Sequence, residues 1–230
     1  MKTAARVLLT LVIVAGAAFG AHKLWDYYMY SAWTRDGRVQ ADVVSIAPDV
    51  AGFVHEIRVK DNQFVHKGDV LIVLDQDRYK LALATAAANV EARRAQMEMQ
   101  QHMAERREKL TTLSTSIEEK QNATYNASAA VGTYQQALAD LATARLNLNR
   151  TVIYAPVNGY VTNLTLDVGQ FASVGTKVIA LIDSDSYRVM GYFEETKIPK
   201  VQPGQRVKVY MMSGGSPLGG HVEGISRGIT

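Results

Sequence analysis

The chain carries one sequence pattern twice, and this repeat is the strongest constraint on its fold. The first copy, VAGFVHEIRVKDNQFVHKGDVLIVLD, covers 50–75, and the second, VNGYVTNLTLDVGQFASVGTKVIALID, covers 157–183. A constant offset of 107 residues aligns the copies without a gap, and the identical pairs include Gly52/Gly159, Val54/Val161, Phe64/Phe171, Gly68/Gly175 and Leu74/Leu181. One copy is too small to bury its apolar face, so we expect the two copies to pack together as one β domain.

Each copy is typical of short strands that are separated by turns. In the first copy, GFVHEIRV alternates apolar and polar residues, which predicts a strand that places Phe53, His55, Ile57 and Val59 on one face. The segment HKGD supplies turn residues, with Gly68 available for a positive φ. The following VLIVLD is predicted to be a short buried strand.

The segment between the copies, 77–150, is predicted to be helical. It contains no proline and a single glycine, Gly132, and good helix formers dominate it. Ser116 and Glu119 form an S-x-x-E capping box, which predicts that a second helix begins there. We therefore expect two helices of about 35 residues, each about 50 Å long, in an antiparallel coiled-coil hairpin with its tip near 111–116. The alternative, one continuous helix, would separate the two β copies by about 100 Å.

Mostly apolar residues, with Thr124 as the exception, recur every seven positions along both predicted helices, as they do in coiled coils. The first helix has one such set, and the second has two. They are Leu83, Val90, Met97 and Ala104; then Ile117, Thr124, Val131 and Leu138; and finally Ala127, Tyr134, Leu141 and Leu148.

The N-terminus resembles a membrane anchor. Lys2 and Arg6 precede an uncharged apolar run from Val7 to Ala21, and aromatic residues follow, among them Trp25, Tyr27 and Tyr28. A run of this length with an aromatic flank is typical of a spanning helix, and the basic residues predict a cytoplasmic N-terminus. A cleaved signal peptide, with a small-residue site before Ala21, is the alternative. Both interpretations place the rest of the chain across the membrane.

Composition argues against several classes of function. The chain lacks cysteine, which excludes disulfides and thiolate chemistry, and its five histidines are scattered. A net charge of +3 without a basic run gives no support for nucleic-acid binding. The sequence has no G-x-S-x-G nucleophile elbow, and the glycine-rich SGGSPLGG lacks the Lys-Ser/Thr of a phosphate loop. We therefore expect no catalytic residue, no metal, no cofactor and no enzyme activity.

The two β copies, the helical insert and the anchor together resemble the HlyD-type membrane fusion proteins, the periplasmic adaptors of bacterial efflux pumps. The resemblance rests on IAPDVAGFVHEIRVKDNQFVHKGDVLIVLD and RTVIYAPVNGYVTNLTLDVGQFASVGTKVIALID, and on YRVMGYFEETKIPKVQPGQRVKVYM downstream. It implies a mixed α and β, elongated fold. A transmembrane helix is followed by a split lipoyl-like (barrel-sandwich hybrid) β domain, which an antiparallel coiled-coil α-hairpin interrupts, and then by a partial β-barrel.

On this basis the chain is divided into six parts. These are a cytoplasmic end and transmembrane anchor (1–25), a periplasmic linker and first barrel strand (26–43), the first lipoyl-like half (44–76), the helical hairpin (77–150), the second lipoyl-like half (151–184), and a barrel that is incomplete at the C-terminus (185–230).

Within this family, SAWTRDGRVQADVVSIAPDVAGFV, LDQDRYKLAL, TVIYAPVNGYVTNL and EETK are similar to adaptor subunits of aromatic carboxylic acid efflux pumps, such as those for p-hydroxybenzoate. The resemblance implies an inner-membrane permease of the aromatic acid exporter type, a TolC-like outer-membrane channel, and self-association into a trimer or hexamer ring. An adaptor of a multidrug or other secretion system is the alternative.

The resemblance also suggests contact residues. Channel-docking adaptors often carry Arg-x3-Leu-x6-Ser at the tip, and here Arg106, Leu110 and Ser116 give a spacing one residue shorter. Together with Leu113 they are the predicted channel contacts, although a solvated arginine, a packed leucine and a capping serine explain the same residues. Glu194 and Glu195 are predicted partner or neighbour contacts on the barrel, with a solvated turn as the alternative.

Two other classes of protein fit the sequence less well than an adaptor. A biotin or lipoate carrier would need a lysine where the chain has Arg78, and a guanidinium cannot form the amide. A structural scaffold that bridges envelope layers would need the helical rod but has no use for the paired β copies.

Overall fold

The structure, a computed structural model, describes residues 2–110 and 115–226, with the backbone alone for residues 2–5. The chain divides into two compact units, residues 41–187 and residues 1–40 together with 188–230. The helices are α1 (Lys2–Tyr30), α2 (Asp77–Glu108) and α3 (Ile117–Asn149), with a 3-10 turn at Ile198–Lys200. The strands are β1 (Gly37–Gln40), β2 (Val43–Ile46), β3 (Gly52–Ile57), β4 (Phe64–Val65), β5 (Val70–Leu74), β6 (Val152–Tyr154), β7 (Gly159–Thr162), β8 (Phe171–Ala172), β9 (Ile179–Asp183), β10 (Arg188–Gly191), β11 (Arg206–Val209) and β12 (Leu218–His221).

The unit at 41–187 contains a sandwich of two four-stranded sheets. Their strand orders are β2-β9-β7-β4 and β6-β5-β3-β8. Each sheet takes strands from both copies of the repeat, because β4 pairs with β7 through Phe64 and Tyr160, and β8 pairs with β3 through Phe171 and Phe53. The prediction that two copies make one β domain is therefore confirmed.

The core of the sandwich is built from the same positions of both copies. Leu71, Ile72, Leu74, Val161 and Leu181 are all fully buried. Leu74 and Leu181 are equivalent by the offset of 107, so the two halves bury matching side chains against each other. Burial of one such side chain stabilises a fold by about 1.5–3 kcal/mol.

The predicted face of β3 is wrong at its start. Phe53 is 57% exposed and His55 is exposed, whereas Val54 is buried. The register against β5 shifts between Val54 and Glu56, which marks a β-bulge. A bulge adds a residue and reverses the phase of the side chains after it. Ile57 and Val59 consequently do point toward the core, as expected.

The predicted turn at Gly68 is confirmed. Gly68 has a φ of 95°, in the region that favours glycine. Its N–H donates to Ala155 O at 2.8 Å, which ties the turn of the first copy to the start of the second.

The segment between the copies forms two helices, and the continuous-helix alternative is wrong. α2 and α3 have 32 and 33 residues, so each is about 48 Å long at 1.5 Å per residue. They contact each other, and we call them the helix pair. On α2, Val90 is buried, and Leu83, Met97 and Ala104 are half-buried, which agrees with their predicted seven-residue spacing.

On α3 one of the two predicted sets is displaced by one residue. Ile117 is 68% exposed and Leu138 is 40% exposed, whereas Ala123, Ala130 and Ala137 are buried. The other set is right, since Ala127 is buried, and Tyr134, Leu141 and Leu148 are half-buried. Alanine is small enough to let two helix backbones approach, so the contact follows the alanines rather than the larger neighbouring side chains.

The second unit contains α1 and two strand pairs. β1 pairs with β10 in an antiparallel register from Gly37/Gly191 to Gln40/Arg188, and β11 pairs with β12. From Arg6 to Tyr30, α1 is long and apolar enough to cross a membrane, and its side chains are exposed along this stretch. A signal sequence can also be this long and this apolar, so α1 fits both interpretations of the N-terminus.

Candidate functional site

The end of α2 is held by a lysine from α3. Lys120 Nζ donates to Glu108 O at 3.1 Å and to Leu110 O at 2.8 Å. These carbonyls have lost their helical partners at the C-terminus, where a cation is also favoured by the helix dipole. One side chain thus joins the two helices at the end where the chain turns.

The start of α3 is closed by the predicted capping box, which is confirmed. Ser116 Oγ accepts a hydrogen bond from Glu119 N, and Glu119 Oε2 accepts one from Ser116 N, each at 3.1 Å. Thr115 Oγ1 donates to the same carboxylate oxygen at 2.8 Å. The hydrogen bond from Thr115, followed by that from the Ser116 N–H, lowers the pKa of Glu119 below its ordinary value.

The structure brings three of the four predicted channel contacts to this end of the helix pair. Arg106 is exposed in the last turn of α2, Leu110 is 45% exposed just beyond it, and Ser116 begins α3. Leu113 lies outside the described residues. Ser116 has a full structural task as a cap, while the Arg106 and Leu110 side chains face solvent. We call Arg106, Leu110 and Ser116 the tip residues.

The capping task of Ser116 can be separated from a docking role. We expect Ser116→Ala to cost about 1 kcal/mol of local helix stability, because it leaves the Glu119 N–H without its acceptor. Ser116→Asp keeps a good cap and changes the surface. Hydrogen exchange of 117–122 should be faster in the alanine variant and near wild type in the aspartate variant. Equal exchange in all three proteins would contradict the capping role.

The lowered pKa of Glu119 predicts a pH dependence. A carboxylate whose folded pKa is depressed stabilises the fold above its unfolded pKa, and the effect is lost as the pH falls through the folded pKa. We therefore expect protection of 117–122 to decrease when the pH is lowered from 6 to below about 4. Glu119→Gln should show weaker protection at pH 6 and should lack this pH step. Exchange rates of the wild type and Glu119→Gln, corrected for the intrinsic pH dependence of exchange, would reveal the difference between them. A pH step of equal size in both proteins would contradict the role of Glu119.

The other end of the helix pair is fixed to the sandwich. Arg78 donates to Ala51 O, and Tyr79 Oη donates to the same carbonyl at 2.7 Å. Thr151, which is fully buried, accepts a hydrogen bond from Gln76 Nε2 at 2.8 Å. These hydrogen bonds attach the start of α2 to the sandwich. Arg78, the residue at the place of a carrier lysine, has this structural partner instead.

The predicted barrel contacts lie on an exposed turn after β10. Glu194 pairs with Lys197 at 3.2 Å and is therefore partnered, while Glu195 is exposed. Lys197 is only 6% exposed, and its Nζ lies 4.9 Å from the centre of the Trp33 ring. Lys197 was not among the predicted contacts, because no local pattern connects it with a tryptophan so far away in the chain.

The predicted anchor residues lie at the end of α1. Trp25, Tyr27 and Tyr28 are 60%, 61% and 51% exposed. Tyr28 contacts both Tyr27 and Trp33 edge to face, with ring centres 5.6 and 6.0 Å apart. Tyr27, Tyr28 and Trp33 therefore form a connected group of rings.

The described residues contain no cluster of three or more groups that could hold a metal ion. The histidines that contact carboxylates do so singly, as His66 does with Asp69 at 3.7 Å and His102 with Glu105 at 3.7 Å. All of these side chains are exposed, as is common for surface ion pairs.

Two family models match the chain. Residues 42–184 match the barrel-sandwich hybrid domain of RND membrane fusion proteins, and residues 186–230 match an AAEA-like β-barrel domain. The chain is 38% identical to the protein YdhJ of Escherichia coli (strain K12) over 220 residues, which is 96% of this chain and 77% of YdhJ.

Solved structures share the fold. MacA from Actinobacillus actinomycetemcomitans has a TM-score of 0.70 at 23% identity, with 84% of this chain and 65% of MacA covered. The membrane fusion protein Spr0693 from Streptococcus pneumoniae R6 has a TM-score of 0.65 at 17% identity, with 83% and 81% covered. The chain thus spans about two thirds of the length of MacA.

Proposed function

Since the chain belongs to the RND membrane fusion protein family, we propose that it is the periplasmic adaptor of a tripartite efflux pump, linking an inner-membrane permease to an outer-membrane channel. Members of this family are homologous adaptors that are generally not enzymes. The observation that carries the proposal is the helix pair, which is rooted in the sandwich at one end and closed by side-chain hydrogen bonds at the other.

The helix pair has the length and attachment expected of a connecting rod. Its two helices, each about 48 Å long, lie between β5 and β6, so the sandwich anchors both of them. We propose that they form an antiparallel coiled coil and that the tip residues, together with Leu113, contact a TolC-like channel. The cap of Ser116 and the bridge of Lys120 hold the end of α2 and the start of α3 in place before docking.

The other unit is proposed to face the permease. In this proposal α1 is a single-pass anchor in the bacterial inner membrane with a cytoplasmic N-terminus, and the bulk of the chain is periplasmic. Lys2 and Arg6 on the N-terminal side support this orientation. Glu195, which is exposed beside the paired Glu194, is the proposed contact with the permease or a neighbouring copy.

Aromatic carboxylic acids such as p-hydroxybenzoate are the proposed cargo, with an aromatic acid exporter as the permease. The support is the sequence similarity of the anchor-proximal and β segments, and the match of 186–230 to an AAEA-like β-barrel domain. A multidrug or other secretion pump is the alternative cargo system. In either case the chain acts by position: it closes a path between two membranes.

A ring of three or six copies is proposed as the working form. The sandwich exposes two aromatic pairs, Phe53 with Phe171 and Phe64 with Tyr160, whose ring centres lie 5.2 and 5.1 Å apart. The repeat relates one pair to the other, because Phe53 is equivalent to Tyr160 and Phe64 to Phe171. Two related exposed patches on one domain favour head-to-tail contacts between copies, and such contacts form a ring when the rotation between successive copies closes.

Site-specific photo-crosslinking in cells tests the proposal. One probe replaces Leu110 and another replaces Glu195 in the full-length protein, with captured partners identified by mass spectrometry. We expect an outer-membrane channel at Leu110 and an aromatic-acid-type permease at Glu195. Capture of another type of transporter at Glu195 would support the adaptor function and contradict the aromatic acid cargo. Capture of nothing except further copies of the chain at both probes would favour the scaffold.

A further inference from the structure

Aromatic rings and basic side chains meet where α1 ends. Lys200 Nζ lies 5.3 Å from the centre of the Tyr30 ring, and Lys197 Nζ lies 4.9 Å from that of Trp33. Arg35 Cζ lies 5.6 Å from the centre of the same Trp33 ring. We call Tyr30, Trp33, Arg35, Lys197 and Lys200 the interface cluster.

The charges of the interface cluster are not balanced. Lys197 pairs with Glu194, but within the described ranges no carboxylate lies within 4.0 Å of the charged atoms of Arg35 or Lys200. The nearby acids Asp26 and Asp36 contact His22 and Arg38 instead. Two cations therefore remain available to an anion from outside the chain.

The cluster also contains an unmet donor. Trp33 Nε1 is buried and has no hydrogen-bond acceptor in the part of the chain that the structure describes. A buried donor without a partner has lost its hydrogen bond to water without replacing it, which destabilises the protein. An oxygen atom of a bound anion would satisfy it.

The position of the cluster along α1 indicates where that anion is found. From Val7 to Trp25 there are 19 residues, or about 28 Å of helix, which matches a hydrocarbon core of about 30 Å. Tyr30 lies five residues further, about 7 Å beyond the core. The headgroup layer of one leaflet is about 5–8 Å thick, so Tyr30 and the ammonium of Lys200 lie at the depth of lipid phosphates.

We propose that the interface cluster binds the phosphate group of an anionic phospholipid in the leaflet at the C-terminal end of α1. Arg35 and Lys200 supply the charge, the indole N–H of Trp33 supplies a hydrogen bond, and the rings of Tyr30 and Trp33 occupy the headgroup layer, where aromatic side chains concentrate. The lipid would fix the strand pair β1 and β10 at the membrane surface, because Arg35 lies two residues before β1 and Lys200 follows β10 in the barrel segment. The proposal requires α1 to remain in the membrane, but it requires neither permease nor channel.

Lipid binding to the intact, full-length protein tests this proposal. Fluorescent phosphatidylglycerol is titrated against the protein in nonionic detergent, and phosphatidylcholine is the reference lipid. Each cation near an anionic lipid surface contributes about five-fold to affinity, so Arg35→Gln/Lys200→Gln should weaken phosphatidylglycerol binding about thirty-fold. The matched control, Arg206→Gln/Lys208→Gln, removes the same charge from exposed positions of β11 and should change binding less than two-fold.

Each outcome decides the proposal. Equal loss in the two double variants would show that net charge alone attracts the lipid, and would overturn the site. Equal affinity of the wild type for phosphatidylglycerol and phosphatidylcholine would overturn it as well. Displacement of the lipid by millimolar inorganic phosphate would identify a site for soluble anions instead. Selective loss in the cluster variant, without competition by inorganic phosphate, is the expected result.

Discussion

Gly159→Ala is expected to destabilise the sandwich by about 3 kcal/mol. A Cβ at Gly159 would lie 2.0 Å from Ile182 O and 2.9 Å from its carbonyl carbon. The contacted atoms belong to the backbone of β9, which pairs with β7 through Gly159 and Asp183 and carries the buried Leu181. Neither strand can move aside without disturbing the core. Hydrogen exchange of 159–183 should therefore become much faster.

Gly132→Ala is the matched control, because it adds the same methyl group on α3. A Cβ at Gly132 would have no atom within 4 Å, and alanine favours a helix over glycine by about 0.5–1 kcal/mol. We expect this variant to be as stable as the wild type or slightly more stable. Similar exchange of 159–183 in the two alanine variants would contradict the close approach of β7 and β9.

The repeat also provides an internal comparison for this prediction. Gly52 is the equivalent of Gly159 in the first copy, yet a Cβ there would meet Leu74 Cβ at 3.5 Å, an ordinary contact. Gly52→Ala should therefore be much milder than Gly159→Ala. The sequence presents these glycines as equals, and the structure distinguishes them by their neighbours.

The parts of the fold that depend on local pattern could be predicted from the sequence. The repeat predicted that two copies share one sandwich, and the S-x-x-E pattern predicted the helix start at Ser116. The sandwich could be predicted because neither copy can bury its apolar residues alone. The helix start could be predicted because a cap lies within four residues of its partner.

The parts that failed depend on registers between distant segments. The bulge between Val54 and Glu56 is a property of the pairing with β5 and leaves no mark in the alternation of β3. The contact face of α3 includes buried alanines such as Ala130, which directly precedes the predicted Val131, and a seven-residue spacing fits either position. Lys120 and Lys197 find their partners across the helix pair and across the barrel segment, so neither could be assigned from neighbours in the chain.

The largest functional effect is expected at the tip of the helix pair. Replacing Leu110 and Leu113 together with aspartate should reduce export at least tenfold, because an apolar side chain buried on docking contributes about 1.5–3 kcal/mol and a buried unpaired carboxylate opposes docking. Leu110 is 45% exposed, so a carboxylate there remains solvated in the free protein. Accumulation of p-hydroxybenzoate, a proposed cargo, in cells lacking the wild-type gene measures the effect, with the protein level checked in membranes.

Leu146→Asp provides a matched control on the same rod. Leu146 is 47% exposed on α3, close to the value for Leu110, but lies three residues before Asn149, at the end of α3 that joins the sandwich. We expect this variant to export normally if contact with the channel is confined to the tip. Normal export by the tip variant would remove the docking role from Leu110 and Leu113. Equal loss of export in both variants, with both proteins folded and anchored, would instead indicate that the channel contacts the helix pair along its length. The side of the helix pair rather than its end would then be the functional surface.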